Sequence, residues 1–252
     1  MMLRDTYLIM TNEIKVTFRN PFWIFHGLVQ PVIYLVLFGP LLNGVAETRG
    51  FPSANAIQFF APGLLIMNAL FSAGFVGFSL QDKVECGFLE RLRVTPVSRI
   101  ALAMGLILVS SIELLCQSGA LVLCALLFGL RFDVWGGLLL VVLILLIGIT
   151  MASTSFTLAL LTREGGVLAG VTNTLVLPLL ILSGVMLPVT FGPPLIQALA
   201  RVDPFLYAVN AARALMSGAI LDAAVPAAFV IFAVLSVVML AVFIRGMREA
   251  VA

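Results

Sequence analysis

The chain has 252 residues, 62% of them hydrophobic and 10% charged, with a formal net charge of +2 at pH 7. Soluble globular domains carry about a quarter charged residues, so that class is excluded, and so small a net charge gives no reason to expect a nucleic-acid partner. Apolar runs of about 20 residues, enough to cross a hydrocarbon core of about 30 Å, recur along the chain and make it an all-α integral membrane protein.

The N-terminal stretch, Met1 to Asn20, carries charges throughout and lacks the apolar middle of a cleavable signal. Leu3, Tyr7, Met10, Ile14 and Phe18 recur at helical spacing, with Arg4, Lys15 and Arg19 elsewhere on the cylinder. This predicts an amphipathic helix over residues 1–20, lying in the membrane interface. Asn20-Pro21 reads as a cap followed by a first-position proline, opening a first span over Phe22 to Leu42. A polar loop, Asn43 to Asn55, leads to a second span, Ile57 to Leu80.

A charged segment, residues 82–95, follows. The third span is expected over Pro96 to Leu130, longer than crossing requires and so tilted or projecting. After a turn at Arg131 to Asp133 come a fourth span, Trp135 to Leu161, and a fifth, Gly165 to Val189. The sixth is expected over Ala223 to Ile244. Between spans five and six, prolines 188, 193, 194 and 204 cut residues 188–218 into pieces too short to cross. Pro194 can open a short helix ending near Arg201. Asp203-Pro204 reads as a cap and first-position proline for a second, with Gly218 as its stop. Two short outer re-entrant helices are expected there.

Placing the N-terminus in the cytoplasm puts ten Lys and Arg residues inside and four, Arg49, Arg131, Arg201 and Arg213, outside. That bias sets the orientation, and six spans return the C-terminus to the cytoplasm. Cys86, Cys116 and Cys124 have no metal-site or disulfide spacing, and His26 is the single histidine. No metal site and no catalytic constellation is expected.

The charged segment, "DKVECGFLERLRVTPVSR", has two physical readings. One is a loop whose arginines fix topology. The other is a cytoplasmic helix, with Phe88, Leu89 and Leu92 on one side and Glu85, Glu90, Arg91 and Arg93 around the rest, docking into a groove of a soluble partner. Its pattern resembles the cytoplasmic loop of ATP-binding-cassette (ABC) exporter permeases with the type-2 membrane domain. The matching residues are Glu85, Gly87, Leu89, Glu90, Leu92, Thr95, Pro96, Ser98 and Arg99, with Cys86 and Phe88 departing from the commonest ones. Leu182, Ser183, Gly184, Pro188, Pro194, Pro204 and Arg213 resemble the family's fifth-span exit and outer helices.

The resemblance implies a permease working as a homodimer or close heterodimer in the bacterial inner membrane. Each copy would bind a separate ATPase subunit, which would hold the ATP and Mg. Glu85, Gly87, Phe88, Leu89, Glu90, Arg91 and Leu92 would then form the ATPase-coupling helix. No G-x-x-x-x-G-K-[ST] phosphate loop occurs in the sequence, so the chain itself is expected to need no cofactor and to be no enzyme.

Within the spans, Glu113 is the one acid at depth, with Ser110, Ser111, Gln117 and Ser118 nearby. A carboxyl there is a candidate for the substrate path, against the alternative of an acid satisfied by its serine neighbours. Asn68 and Asn173 are weaker path candidates, each also explicable as an interhelical hydrogen bond. Gly166 and Gly170 form a small-xxx-small pattern that predicts close helix packing. The expected cargo is amphipathic or hydrophobic: a drug, antibiotic or lipid. A polysaccharide would call for a belt of Trp and Tyr, and the chain has two and three of these. An ATP-independent channel leaves the docking helix unexplained, and an intramembrane enzyme lacks a catalytic partner for Glu113.

Overall fold

The computed structural model describes residues 2–19, 29, 32–37, 56–87, 99–131, 133–162, 164–185 and 188–250. Every regular element among them is helical. The helices are α1 (Met2–Arg19), α2 (Ala56–Phe75), α3 (Gly77–Glu85), α4 (Arg99–Leu127), α5 (Val134–Thr162) and α6 (Gly165–Leu182). After a 3-10 turn, Val189–Phe191, come α7 (Pro194–Ala200), α8 (Pro204–Met216) and α9 (Ala224–Ala250). Residues 32–37 are also helical.

Five stretches are long and apolar enough to cross a membrane: Ile57–Glu85, Arg99–Leu127, Val134–Thr162, Gly165–Leu182 and Ala224–Glu249. The chain is a multi-pass membrane protein. The expected first span, Phe22 to Leu42, lies outside the described residues apart from Val29 and residues 32–37.

Three span ends differ from the sequence expectation, each for a local reason. The second span was expected to stop at Leu80, yet helix continues to Glu85 after a break at Val76. There the Gly77 N–H donates to Ser155 Oγ at 2.9 Å, and the Ser155 hydroxyl donates to the Gly74 carbonyl at 2.5 Å. A hydroxyl from α5 thus enters the backbone ladder, which splits one long helix into α2 and α3. The third span ends at Leu127 rather than Leu130. Gly129 takes φ +88° while the N–H groups of Gly129 and Leu130 donate to the carbonyls of Leu126 and Ala125, the Schellman arrangement. The fifth ends at Leu182 rather than Val189, since Gly184 takes φ +71° just beyond the Ser183 cap.

The long helices alternate in direction. One end of the bundle carries α1, Glu85, Arg99 and Arg248; the other carries α7 and α8. Central to it is α5, where Leu143, Ile147, Ala152 and Phe156 are fully buried and which packs against α9, α2, α3, α4 and α8. Two apolar clusters fill the interior. Phe205 and Phe232 meet edge to face at 5.4 Å towards the α8 end, and Phe156 and Phe243 stack at 5.2 Å towards the α1 end.

Candidate functional site

At the α1 end, α1 lies along the start of α4. The contact is close because position 105 is glycine: a Cβ there would sit 2.8 Å from Ile9 Cγ2. Glu13, one turn on from Ile9, forms an ion pair with Lys83 of α3. Gln81 Nε2 donates to Glu85 Oε1 at 3.2 Å, and Arg99 Nη1 donates to the Arg248 carbonyl at 3.2 Å, joining α4 to the end of α9.

Of the residues expected to couple to an ATPase, Glu85 occupies the last turn of α3, exposed. Gly87 takes φ +73° while its N–H donates to the Val84 carbonyl at 3.0 Å, which ends α3 and turns the chain. Phe88, Leu89, Glu90, Arg91 and Leu92 lie outside the described residues.

The expected path residues separate into two kinds. Ser110 and Ser111 are buried, and both hydroxyls donate to the Ile107 carbonyl, at 2.9 and 2.7 Å, so they are committed to their own helix. Asn173 is exposed and donates to the Ala169 carbonyl at 3.0 Å. Asn68 and Gln117 differ: both are buried, yet Asn68 Nδ2 and Gln117 Oε1 have no hydrogen-bond partner among the described residues. Ser118 Oγ is in the same condition. Gly77 against Ser155 and Leu114 against Gly148 fix the registers of α3 and α4 on α5. Counting along the helices from those contacts puts Asn68 and Gln117 level with the same turn of α5, around Leu145 and Leu146. A free amide donor on α2 and a free amide acceptor on α4 therefore share one depth, in the middle of the bundle. Glu113, one turn from Gln117, is half-buried.

The α8 end holds side chains that the sequence reading treated as caps, turn residues or outside charges and, for Arg213, as part of the family resemblance, without assigning their contacts. Asp203 is 4% exposed and caps α8, its Oδ1 accepting from the Phe205 N–H at 2.9 Å, while Oδ2 has no partner among the described residues. Burial pushes its carboxyl up to about 6, against the partly offsetting Phe205 bond. Arg213 donates to the carbonyls of Phe59 at 3.3 Å, Gly184 at 2.8 Å and Val185 at 3.5 Å, and burial lowers it to about 10, which leaves it charged at neutral pH. At the opposite side of α8, the Met216 carbonyl accepts from the Asp133 N–H at 3.3 Å, and the Asp133 carboxylate caps α5 through the Gly136 N–H at 2.9 Å. Gln58 Nε2 donates to the Arg131 carbonyl at 3.0 Å. In this way α8 is tied to α2, the end of α6 and the start of α5. An arginine in the middle of an apolar helix was the signal available in the sequence.

Residues 4–217 match the family described as ABC-2 type transporter. The chain is 32% identical over 206 residues to a putative transport permease, ycf38, of Cyanophora paradoxa, covering 79% of this chain and 69% of that one. It is 25% identical over 194 residues to the daunorubicin resistance ABC transporter permease protein DrrB1 of Streptomyces coeruleorubidus, covering 75% and 67%. It is also 25% identical over 202 residues to the inner membrane transport permease YadH of Escherichia coli, covering 76% and 75%. No solved structure gives a significant match. With most of its length matched to one family, and with relatives that are transport permeases, the chain belongs to the ABC-2 type transporter family.

Proposed function

We propose that the chain is the permease half of an ATP-driven exporter, paired with a second permease copy and docked through residues 82–95 to a separate ATPase subunit. The observation that carries this reading is the family match over residues 4–217. The sequence has no phosphate loop, which supports assigning ATP and Mg to the partner. Relatives named for daunorubicin and doxorubicin resistance support a cargo with an apolar body and a polar head, a drug, antibiotic or lipid. Lys83, Arg99, Arg245 and Arg248 gather at the α1 end. The positive-inside rule turns that end, with both chain termini, towards the cytoplasm of a bacterial inner membrane.

In this mechanism, closure of the ATPases displaces the 82–95 segment, and α3 and α1 carry the displacement into the spans. Cargo then moves outward between helices. Asn68 and Gln117 are the strongest contacts for it. A buried amide without a partner costs about 1–3 kcal/mol, and separation of α2 from α4 would let a cargo's polar group satisfy both. Glu113 lies one turn away for a cationic head.

The test is purification of the tagged protein from its native host in mild detergent, with identification of what accompanies it. A stoichiometric soluble ATPase carrying a phosphate loop is expected. The substitution Glu90→Arg should remove that ATPase while the permease still inserts and pairs. A folded, paired preparation with no ATPase would sink the exporter reading and favour an ATP-independent channel.

A further inference from the structure

Residues 88–98 have two stems, α3 before them and α4 after them, and one face of α1 touches both. Ile9 and Glu13 are four residues apart and so share a side of α1. Ile9 rests in the notch that Gly105 leaves on α4, and Glu13 pairs with Lys83 on α3. The two side chains of that pair are only 26% and 17% exposed, which shields their attraction from solvent and salt. Lys83 stands one turn before Gly87, where α3 stops and the chain turns towards the segment.

We propose that Glu13 and Lys83 are positioning residues that lock α1 to the outgoing stem of the 88–98 segment, so that a displacement there reaches α4 through Ile9 and Gly105. This rests on the exporter reading. Apart from the pair, α3 enters the bundle through the Ser155 junction at Gly77 and through Leu80, which is fully buried in the apolar cluster at that end. With it, α1 becomes a lever bearing on α4, and both stems move together. The pair names the contact through which α1 receives that motion.

The test uses the permease with its co-purified ATPase in liposomes, comparing wild type, Glu13→Lys, Lys83→Glu and the double exchange. Each single variant places like charges together, and the exchange restores the attraction. Cargo moved per ATP hydrolysed should fall about tenfold in each single variant and return to within about twofold in the exchange, as a direct pair requires. In Glu13→Lys, whose site lies outside the 82–95 docking segment, ATPase retention and ATP turnover should stay near wild type, a split that simple loss of folding would not give. Hydrogen exchange of the purified permease supplies a second reading. Amides of residues 6–15 should exchange faster in each single variant and recover in the exchange. Unchanged protection in the single variants overturns the lock, as does changed protection with unchanged cargo per ATP. A wild-type protein without ATP-driven transport sinks the exporter reading, a result distinct from either of these.

Discussion

The guanidinium of Arg213 sits 3.7 Å above the ring centroid of Phe59 and also donates to that residue's carbonyl. The same side chain reaches the Gly184 and Val185 carbonyls, which the end of α6 leaves without helical partners. One arginine thus fastens α8 to two spans. Arg213→Ala strands a set of buried carbonyls and should lower stability by about 2–4 kcal/mol, read as a fall in apparent melting temperature in detergent. Arg213→Lys keeps the charge but loses the planar fork that serves α2 and α6 at once, and should lose about half as much. Equal losses for the two would mean that charge contributes nothing at this site.

Close helix approach makes a second prediction. A Cβ on Gly136 would lie 1.8 Å from the Leu215 carbonyl oxygen, and one on Gly77 2.4 Å from that of Ser155. Both obstacles are backbone, so the helices must separate. Gly136→Ala and Gly77→Ala should each destabilise by about 1–3 kcal/mol, although alanine is the better helix former. Among the described residues, nothing lies within 4 Å of where a Cβ on Gly166 or Gly170 would sit. Alanine at either should be neutral or stabilising by up to about 1 kcal/mol in the separated chain. A loss confined to the paired protein would place a second copy against that face.

Those four glycines show what the sequence discloses and what it hides. The small-xxx-small pattern at Gly166 and Gly170 was visible, yet among the described residues nothing packs against it. Gly77 and Gly136 carry no pattern, because their partners, Ser155 and Leu215, lie 78 and 79 residues away. Apolar runs disclosed five long helices well, since span length is fixed by bilayer thickness. Span ends were missed where a tertiary contact or a left-handed glycine decided them: Ser155 at Val76, Gly129, and Gly184. Asp203-Pro204 and Gly218 were legible as the start and stop of α8 because caps are local chemistry. Among the polar span residues, type alone did not separate Ser110, which satisfies itself on its own helix, from Gln117, which does not.

The orphaned amides predict opposite effects on stability and transport. Asn68→Leu and Gln117→Met keep the side-chain size while removing unpaired polar atoms from the interior. Each should raise stability by about 1 kcal/mol. If these amides meet the cargo, transport should fall several-fold for cargo bearing a hydrogen-bonding head and much less for a purely apolar one. Lower stability in both variants would show that the amides already have partners in the bilayer.

Asp203 makes stability depend on acidity. Its folded pKa of about 6 stands above the ordinary 3.8, because burial disfavours the carboxylate more than the Phe205 N–H favours it. The folded protein therefore holds a proton that the unfolded chain releases. Stability from this group is fully present below about pH 3.8, declines as pH rises through about 6, and is absent at neutral pH. Asp203→Asn retains the cap, since Asn and Asp serve equally there, and abolishes the titration. The variant should be more stable than wild type at pH 7.5, by up to about 3 kcal/mol, with the difference shrinking towards pH 4. Apparent melting temperatures across that range decide the matter. Parallel curves for the two proteins would mean that the carboxyl is ionised throughout and that a cation or water reaches Oδ2. Asp203→Ala separates the cap from the charge: it should lose about 1 kcal/mol of helix capping at every pH, so its curve should be as flat as that of Asn but lower.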